Sequence, residues 1–330
     1  PTFEKVVKMT RSIWGNNNLI SYILLPFSVL FLVTIKIYKL FKREKGLSIP
    51  IICVGNLTLG GAGKTPTVIE IRRQLRKHLK NIFVLTRGYK GLKVGPLIVN
   101  ENSKAIDVGD ESILHSQHGA TCVAKKKVDG AKLCQKLMGD LIIMDDGLQS
   151  IDVKKDFRIL VIDGNYGFGN TKIFPSGPLR EPINDCIKKS DVILIIDKKK
   201  EYDQLQNISK EKIFFAQKRI SWKNIKNKDL FAFSAIANNK NFYKSLTDKG
   251  FKIKKFKQFS DHYFFKKKEI LMILKQAKKM NLSIVCTEKD YVKIPREFQK
   301  SIHPIQLDLK INNSRKLVKK ILQKLKTKKV

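Results

Sequence analysis

Cysteine is sparse in this 330-residue chain, and its few cysteines follow no pattern. They stand at positions 53, 122, 134, 186 and 286, with no C-x-x-C pair among them. Disulfide frameworks and zinc sites depend on grouped cysteines, so the sequence predicts neither and is typical of reduced thiols in a cytosolic setting. His115 and His118 are spaced to share a helix face, but no cysteine or carboxylate pattern completes a metal site around them.

Acidic residues are also scarce. The chain has 29 Asp and Glu against 66 Lys and Arg, a formal net charge of +37. Such an excess is typical of proteins that bind nucleic acid or an anionic membrane surface. Only 11 of the basic residues are arginine, however, and the lysines are spread over almost every segment without an RNP, zinc-finger or helix-turn-helix signature. We therefore interpret most of them as solvated surface, with attraction to acidic lipid or a phosphorylated substrate as the second interpretation.

The chain is long enough for two domains, and no internal repeat is visible. From residue 48 onward, short β-branched runs alternate with polar segments of helical character. Buried strands are predicted at 49–56, 82–89, 141–147, 157–164, 191–197 and 213–219, and a helix at 67–79. Strand-helix alternation predicts an α/β fold with a doubly wound, mostly parallel sheet.

A polar, lysine-rich stretch at 221–229 separates these runs from a second, smaller set. Its members are 230–237, 241–250, 269–280 and 282–290, followed by an amphipathic helix at 313–329. We predict three parts: a membrane-associated segment at 1–45, a larger domain at 46–220 and a smaller α/β domain at 228–330.

The membrane prediction rests on residues 19–35, a run of 17 without a charge that is followed by a group of cations. As a helix the run is about 25 Å long, which is marginal against a hydrocarbon core of about 30 Å. Trp14 and Tyr22 suit a membrane interface, whereas Pro26 would kink a helix. We expect an N-terminal helix that spans or half-enters the bilayer, with the following chain on the cytoplasmic side; the alternative is a buried core helix.

The stretch VGNLTLGGAGKTP, at 54–66, resembles a phosphate-binding loop between a strand and a helix. Glycines let backbone N–H groups face an anion, and a helix start adds its positive dipole end. In this interpretation Lys64 reaches the outer phosphates and the Thr65 hydroxyl holds Mg²⁺. The nucleotide-binding residues are then Thr58, Leu59, Gly60, Gly61, Ala62, Gly63, Lys64 and Thr65.

The loop departs from G-x-x-x-x-G-K-[ST] because Thr58 stands where the first glycine belongs. It also matches the variant loop of partitioning-type ATPases, but Leu59 replaces the lysine that reaches a partner's nucleotide in those proteins. The fold is therefore predicted to be of P-loop type. The loop alone does not identify which class of P-loop protein this is.

Acidic pairs supply the remaining chemistry. Asp145 and Asp146 end an apolar strand; since successive strand residues point to opposite faces, we expect one to meet the metal and the other to support it. Asp110 and Glu111 stand after a glycine at a predicted helix start, where one could accept a proton and the other contact metal or nucleotide. Capping of a turn or helix is the alternative for both pairs.

Several motifs resemble the tetraacyldisaccharide 4'-kinase (lipid A 4'-kinase) family in order and approximate spacing over residues 14–294. They are VGNLTLGGAGKTP, TRGYKG (86–91), VGDE (108–111), DDGLQ (145–149), GFGN (167–170), PSGPLREP (175–182), SDHYFF (260–265) and TEKD (287–290). In that family a threonine occupies the position of Thr58, so the missing glycine fits.

The resemblance implies an ATP- and Mg²⁺-dependent kinase that phosphorylates the 4'-hydroxyl of a lipid disaccharide 1-phosphate. It implies an enzyme on the cytoplasmic face of the bacterial inner membrane, with the lipid surface as partner and with neither nucleic acid nor an obligate protein partner. The other hypotheses are a P-loop ATPase that acts on nucleic acid or as a nucleotide switch, and a membrane scaffold with a vestigial site.

The resemblance also implies residue roles. Asp110 matches the general base and His262 its partner, and Lys64 joins them as a catalytic residue. Glu181 matches a metal ligand beside Thr65 and the aspartate pair. Supporting or substrate roles fall to Glu111, Arg87, Tyr89, Lys127, Gln149 and Arg180. Two positions depart from the family: Lys127 replaces an arginine, which removes a bidentate phosphate contact, and Ser150 replaces a histidine.

Overall fold

A computed structural model describes residues 14–199, 201–225 and 227–326. All six strands predicted for the larger region are present. The strands of this part are β1 Ile51–Asn56, β2 Ile82–Thr86, β3 Leu97–Ile98, β4 Thr121–Val123, β5 Leu141–Asp145, β6 Phe157–Asp163, β7 Val192–Ile196 and β8 Ile213–Ser221. Strands β1, β2, β5 and β7 are buried along their whole length, as expected for central parallel strands covered on both faces.

The sheet confirms the predicted doubly wound, mostly parallel topology. Its first eight strands lie in the order β8-β7-β6-β1-β5-β2-β4-β3, and each pairing among β1, β2 and β4 to β8 is parallel. Strand β1 lies between β5 and β6, where the chain reverses its direction of travel across the sheet. In open α/β sheets, ligands bind at the carboxyl ends of the strands at such a switch point.

A second set of strands extends the same sheet. They are β9 Asp229–Ser234, β10 Lys252–Gln258, β11 Ser283–Thr287 and β12 His303–Ile311, in the order β10-β9-β11-β12. Strand β12 pairs antiparallel with β8, so both sets share one hydrogen-bonded sheet. The division into domains at 46–220 and 228–330 stays a prediction. Strands β3, β4, β10 and β12 were not among the predicted strands.

Helices cover both faces of the sheet. They are α1 Leu19–Ile23, α2 Leu25–Leu40, α3 Lys64–Leu75, α4 Ala105–Val108, α5 Asp110–Gln117, α6 Lys127–Lys136, α7 Ile183–Lys189, α8 Asn239–Thr247, α9 Lys267–Lys279, α10 Glu288–Tyr291, α11 Arg296–Gln299 and α12 Ser314–Lys326. The predicted helices at 67–79 and 313–329 correspond to α3 and α12, and residues 327–329 lie outside the described part. All five cysteines are free and buried.

The apolar run at 19–35 was expected to form one helix, but it is divided between two helices, α1 and α2. Pro26 lies in the first turn of α2, where its missing N–H costs nothing, so it starts a helix instead of kinking one. Only Ser21 and Ser28 are buried in these two helices. The alternative of a buried core helix is therefore wrong, because large apolar side chains such as Phe27 and Leu30 are 59% and 64% exposed.

The two aromatic residues expected at a membrane interface, Trp14 and Tyr22, differ in their exposure to solvent. Tyr22 is exposed, as an interface position requires. Trp14 is only 2% exposed, and its indole N–H donates to Pro175 O at 3.0 Å, so its assignment to a membrane interface is wrong. Within the described residues, none of the helices combines the length and the apolar character needed to cross a bilayer. Of the predicted segment at 1–45, residues 1–13 lie outside the described part.

Candidate active site

The phosphate-loop candidate connects β1 to α3 at the switch point of the sheet. Gly63 has φ +87°, which is the left-handed region, and a Cβ there would lie 2.7 Å from Ile196 Cδ1. Only glycine therefore fits before the first residue of α3. Thr58 forms an isolated bridge with Leu179, and Leu59 N–H donates to Pro178 O at 2.8 Å. The proline-rich segment thus fixes the front half of the loop.

Asn56, the last residue of β1, fixes the loop from below. Its side-chain amide donates to Thr58 O at 2.6 Å and to Gly60 O at 3.2 Å, and its Oδ1 accepts from Lys64 Nζ at 2.9 Å. One fully buried side chain therefore connects three points of the loop. Asn56 was missed among the candidate residues, although a polar side chain at the end of an apolar strand was a signal for it.

Thr65 and Asp145 meet at the start of α3. The Thr65 hydroxyl donates to Asp145 Oδ2 at 3.4 Å, and the same oxygen lies 2.8 Å from His115 Nε2. Both Asp145 and His115 are buried. Asp145 Oδ1 has no hydrogen-bond partner among the described residues. His115 therefore orients Asp145, while one carboxylate oxygen beside the Thr65 hydroxyl stays available to a ligand.

Asp146 also points to the loop, contrary to the alternation argument. Its φ of +53° takes it out of the strand conformation, so both aspartates reach the same site. Asp146 lies 3.5 Å from Lys64 Nζ and accepts from Arg180 at 3.0 Å. Burial raises its pKa, but the Lys64 and Arg180 cations outweigh this and lower the pKa of Asp146 to about 2. It is the loop lysine's counter-ion.

Gln149 and Glu181 form a network beside this pair. Gln149 Nε2 donates to Asn56 O at 3.1 Å and to Glu181 Oε1 at 3.0 Å, and its Oε1 accepts from Arg180 at 3.3 Å. Glu181 is buried and accepts from Lys189 Nζ at 2.6 Å. Its carboxylate is thus already engaged by a lysine on α7, and its role as a metal ligand stays a prediction.

Lys127 and Arg87 lie beside the same strand ends. The Lys127 ammonium is buried, with Leu85 O at 3.4 Å and Asp145 O at 3.3 Å, and burial lowers its pKa. The Lys127 ammonium therefore contacts backbone carbonyls at the ends of β2 and β5. Arg87 follows β2 with an exposed side chain.

Asp110 and His262, 152 residues apart, are in direct contact. His262 Nδ1 lies 2.8 Å from Asp110 Oδ2, and the Tyr89 ring lies 5.4 Å from the imidazole with an edge-to-face orientation. Asp110 is 2% exposed. Its Oδ1 accepts the N–H of the adjacent Glu111 at 2.9 Å. The N-cap of α5 is Gly109, without a side-chain cap, so the capping alternative is wrong for Asp110. Gly109 before it has φ +85°, and a Cβ there would lie 2.6 Å from Tyr89 O.

Two lysines that the sequence did not single out complete this cluster. Lys289 Nζ lies 3.1 Å from Glu111 Oε1 and 3.2 Å from His262 Nε2. Lys293 Nζ lies 2.9 Å from Asp290 Oδ1 and 3.9 Å from Asp110 Oδ2. Burial raises the pKa of Asp110, but Lys289, His262 and Lys293 together lower it to about 2. Asp110 is therefore ionised at neutral pH, as a proton acceptor must be.

Helix α5 links the Asp110 cluster to the strand end that faces the phosphate loop. Asp110 starts this helix, and His115 is five residues further along, a rise of about 7.5 Å. Since His115 contacts Asp145 and Asp145 contacts Thr65, a chain of contacts connects the helix that carries the base candidate to the start of α3.

The residues fit Mg²⁺ with a nucleotide better than a bare metal ion. Among the described residues no group of three or more His, Cys, Asp or Glu side chains is placed to hold a metal. Mg²⁺ typically takes one or two protein oxygens and completes its shell with substrate phosphates and water. The Thr65 hydroxyl and the unpartnered Asp145 oxygen are such a pair.

The sheet is parallel, a glycine-rich loop follows its central strand, and carboxylates at the end of the adjacent strand face that loop. These features define the class of P-loop phosphotransferases and ATPases. Comparison with known proteins narrows the class. The model of the family described as tetraacyldisaccharide-1-P 4'-kinase matches residues 20–326. The chain belongs to this family.

Curated relatives agree. A tetraacyldisaccharide 4'-kinase of Bradyrhizobium sp. (strain ORS 278) is 33% identical over 281 residues, which cover 83% of this chain and 84% of the relative. One of Brucella suis (strain ATCC 23445 / NCTC 10510) is 34% identical over 280 residues, covering 81% and 82%. The crystal structure of LpxK from Aquifex aeolicus in complex with ATP is similar with a TM-score of 0.74 and 26% identity, over 93% of this chain and 99% of that one. The predicted family and fold are confirmed.

We predict that Asn56→Ala weakens MgATP binding about tenfold, the equivalent of about 1.4 kcal/mol, because the loop backbone loses the side-chain contacts to Thr58 O and Gly60 O. Isothermal titration calorimetry measures the change. Asn100→Ala, in an exposed turn, is the matched control and should bind as the parent does. Unchanged affinity of Asn56→Ala would show that the loop holds its shape without this side chain.

Proposed function

We propose that this chain is a tetraacyldisaccharide 4'-kinase, which transfers the γ-phosphate of ATP to the 4'-hydroxyl of a lipid disaccharide 1-phosphate. Membership of the family supports the reaction. The contact of His262 with a buried, ionised Asp110, linked to the phosphate loop through α5, is the observation that carries the mechanism. A vestigial site, as in a scaffold, would have no reason to retain it.

In this mechanism the loop backbone and Lys64 bind the phosphates of ATP. Lys64 now contacts Asn56 and Asp146, and a bound triphosphate replaces those contacts with its own oxygens. Arg180 shares Asp146 with Lys64 and brings a second cation to the same place. Thr65 and Asp145 are the residues that would hold Mg²⁺, which would supply neutralisation of phosphate charge.

Asp110 accepts the proton of the sugar hydroxyl as the hydroxyl oxygen attacks the γ-phosphorus. His262 orients the carboxylate through the bond to Oδ2, and the Glu111 N–H holds Oδ1. A carboxylate fixed at both oxygens presents a defined lone pair to the acceptor. Tyr89 packs against His262, and both Tyr89 and Arg87 are proposed to contact the substrate. Catalysis then rests on positioning and charge neutralisation.

We further propose that α1 and α2 bring the enzyme to the inner-membrane surface, on its cytoplasmic side. Exposed apolar side chains along both helices support this, as do the cations that follow on and after α2. Monomeric soluble proteins rarely expose so many large apolar side chains together. Lys39, near the end of α2, lies 3.9 Å from Glu181, so this face is close to the phosphate loop. A lipid substrate held in the bilayer would meet the site there.

Asp110→Asn should reduce phosphate transfer by about 10²- to 10⁴-fold while MgATP binding is retained, because only the proton acceptor is lost. The assay uses labelled ATP, detergent micelles and a lipid disaccharide 1-phosphate. Asp203→Asn, in an exposed turn, is the control and should match the parent. Near-normal turnover of Asp110→Asn would remove Asp110 as the base.

The same assay separates the kinase from an ATPase that acts on nucleic acid. The kinase transfers label only when the lipid acceptor is present, and RNA or DNA leaves its ATP consumption unchanged. Hydrolysis that nucleic acid stimulates, with a steep salt dependence, would contradict the proposed function.

Phe27→Glu combined with Leu30→Glu should weaken binding to anionic phospholipid vesicles at least about tenfold, since each change removes roughly 1.5–3 kcal/mol of apolar burial. Vesicle flotation measures binding. Leu271→Glu places the same charge at a residue of α9 that is 51% exposed, and it should float as the parent does. Equal flotation of all three proteins would contradict membrane binding through α2.

A further inference from the structure

Lys289 contacts His262 and Glu111, which flank Asp110, but it takes no part in the proposed proton transfer. It lies on α10, in the second set of strands and helices, and its ammonium reaches across to α5. The ammonium is 3.2 Å from His262 Nε2 and 3.1 Å from Glu111 Oε1. Asp110 and Glu111 are adjacent, so Lys289, His262, Asp110 and Glu111 form a closed ring of contacts.

The segments that carry Lys289 and His262 are fixed to each other. The His262 N–H donates to Ala235 O at 3.0 Å, and the Ala235 N–H donates to Asp290 Oδ2 at 3.0 Å. Asp290 also accepts from the Thr287 hydroxyl at 2.7 Å, which caps α10. The approach of Lys289 to the imidazole is therefore set by backbone contacts as well as by charge.

The direction of the Lys289 contact decides which nitrogen of His262 carries the proton. An ammonium group has three donors and no acceptor, so Lys289 can only donate, and Nε2 must present its lone pair. Nδ1 then carries the hydrogen and donates it to Asp110 Oδ2 at 2.8 Å. An imidazolium would place its Nε2–H directly against a cation.

Among the charged groups that face this pair, Asp261 would favour a proton on Nε2, but its Oδ1 is 3.9 Å away and beyond hydrogen-bond distance, whereas Lys289 lies within it. Asp110 and Glu111 raise the pKa of Lys289 above its ordinary value despite burial, so the lysine stays charged. Lys293 lies 3.9 Å from Asp110 Oδ2, and Asp261 Oδ1 lies 3.9 Å from His262 Nε2. Asp290 pairs with Lys293 at 2.9 Å, and the uncharged ring of Tyr89 covers the imidazole edge.

We propose that Lys289 is a positioning residue of this site: it fixes His262 as the neutral tautomer protonated at Nδ1 and prevents His262 from passing a proton to solvent through Nε2. The proposal rests on the proposed function in that Asp110 is the base that His262 orients. Asp110 alone then takes the proton from the substrate, and the imidazole acts as a fixed hydrogen-bond donor.

The direct test is nitrogen NMR of the full chain labelled with ¹⁵N-histidine. The chain has five histidines, and the spectrum of His262→Gln identifies the His262 signals by their loss. We expect a protonated Nδ1 and an unprotonated Nε2 near neutral pH. A protonated Nε2 in the native chain would overturn the proposal. This readout needs no kinase activity, so it fails or succeeds separately from the proposed function.

Lys289→Met supplies the second test. Loss of the Lys289 cation raises the pKa of Asp110, so the acidic limb of kcat/KM should move to higher pH by about one unit or more. Lys289→Arg keeps a cationic donor and should restore much of the profile. Lys267→Met removes an exposed lysine paired with Glu297 at 2.9 Å and should leave the profile unchanged. An unchanged acidic limb in Lys289→Met would overturn the proposal.

Discussion

A hydrogen bond between His262 and Asp110 joins parts of the chain 152 residues apart, and the active site depends on it. Asp110 starts α5, whereas His262 follows β10 at the far end of the sheet. Strand β12 makes the meeting possible, because its antiparallel pairing with β8 continues the sheet from one set of strands into the other. A buried carboxylate without partners would be costly, so the histidine and lysines from the second set stabilise the ionised form that chemistry needs.

At the phosphate loop, as at Asp110, each carboxylate is paired with basic side chains. Asp146 holds Lys64 and Arg180 where a triphosphate would lie, while His115 holds Asp145 at the metal position. The acidic residues of the site are thus each paired with a base from a different element. In this chain of net charge +37, most of the lysines lie on the solvated surface, as expected.

Sequence patterns predicted the central strands, the phosphate loop and the acidic strand ends, because each depends on local runs of residues. They did not predict β10 and β12, in which lysines or alternating polar residues hide the strand pattern. Alternation failed at Asp146 because its left-handed backbone departs from the strand geometry that the argument assumed. Lys289 and His115 were missed because their roles depend on contacts that only the folded chain brings together.

The central claim is that one carboxylate, oriented from across the sheet, takes the hydrogen of the sugar alcohol. A crystal structure of the chain with Mg²⁺, a non-hydrolysable ATP analogue and a lipid disaccharide 1-phosphate tests it most directly. The account predicts the acceptor hydroxyl within about 3 Å of an Asp110 oxygen and in line with the γ-phosphorus, with His262 still bonded to that carboxylate. An acceptor hydroxyl that faces a different carboxylate, with Asp110 directed into the protein interior, would contradict it.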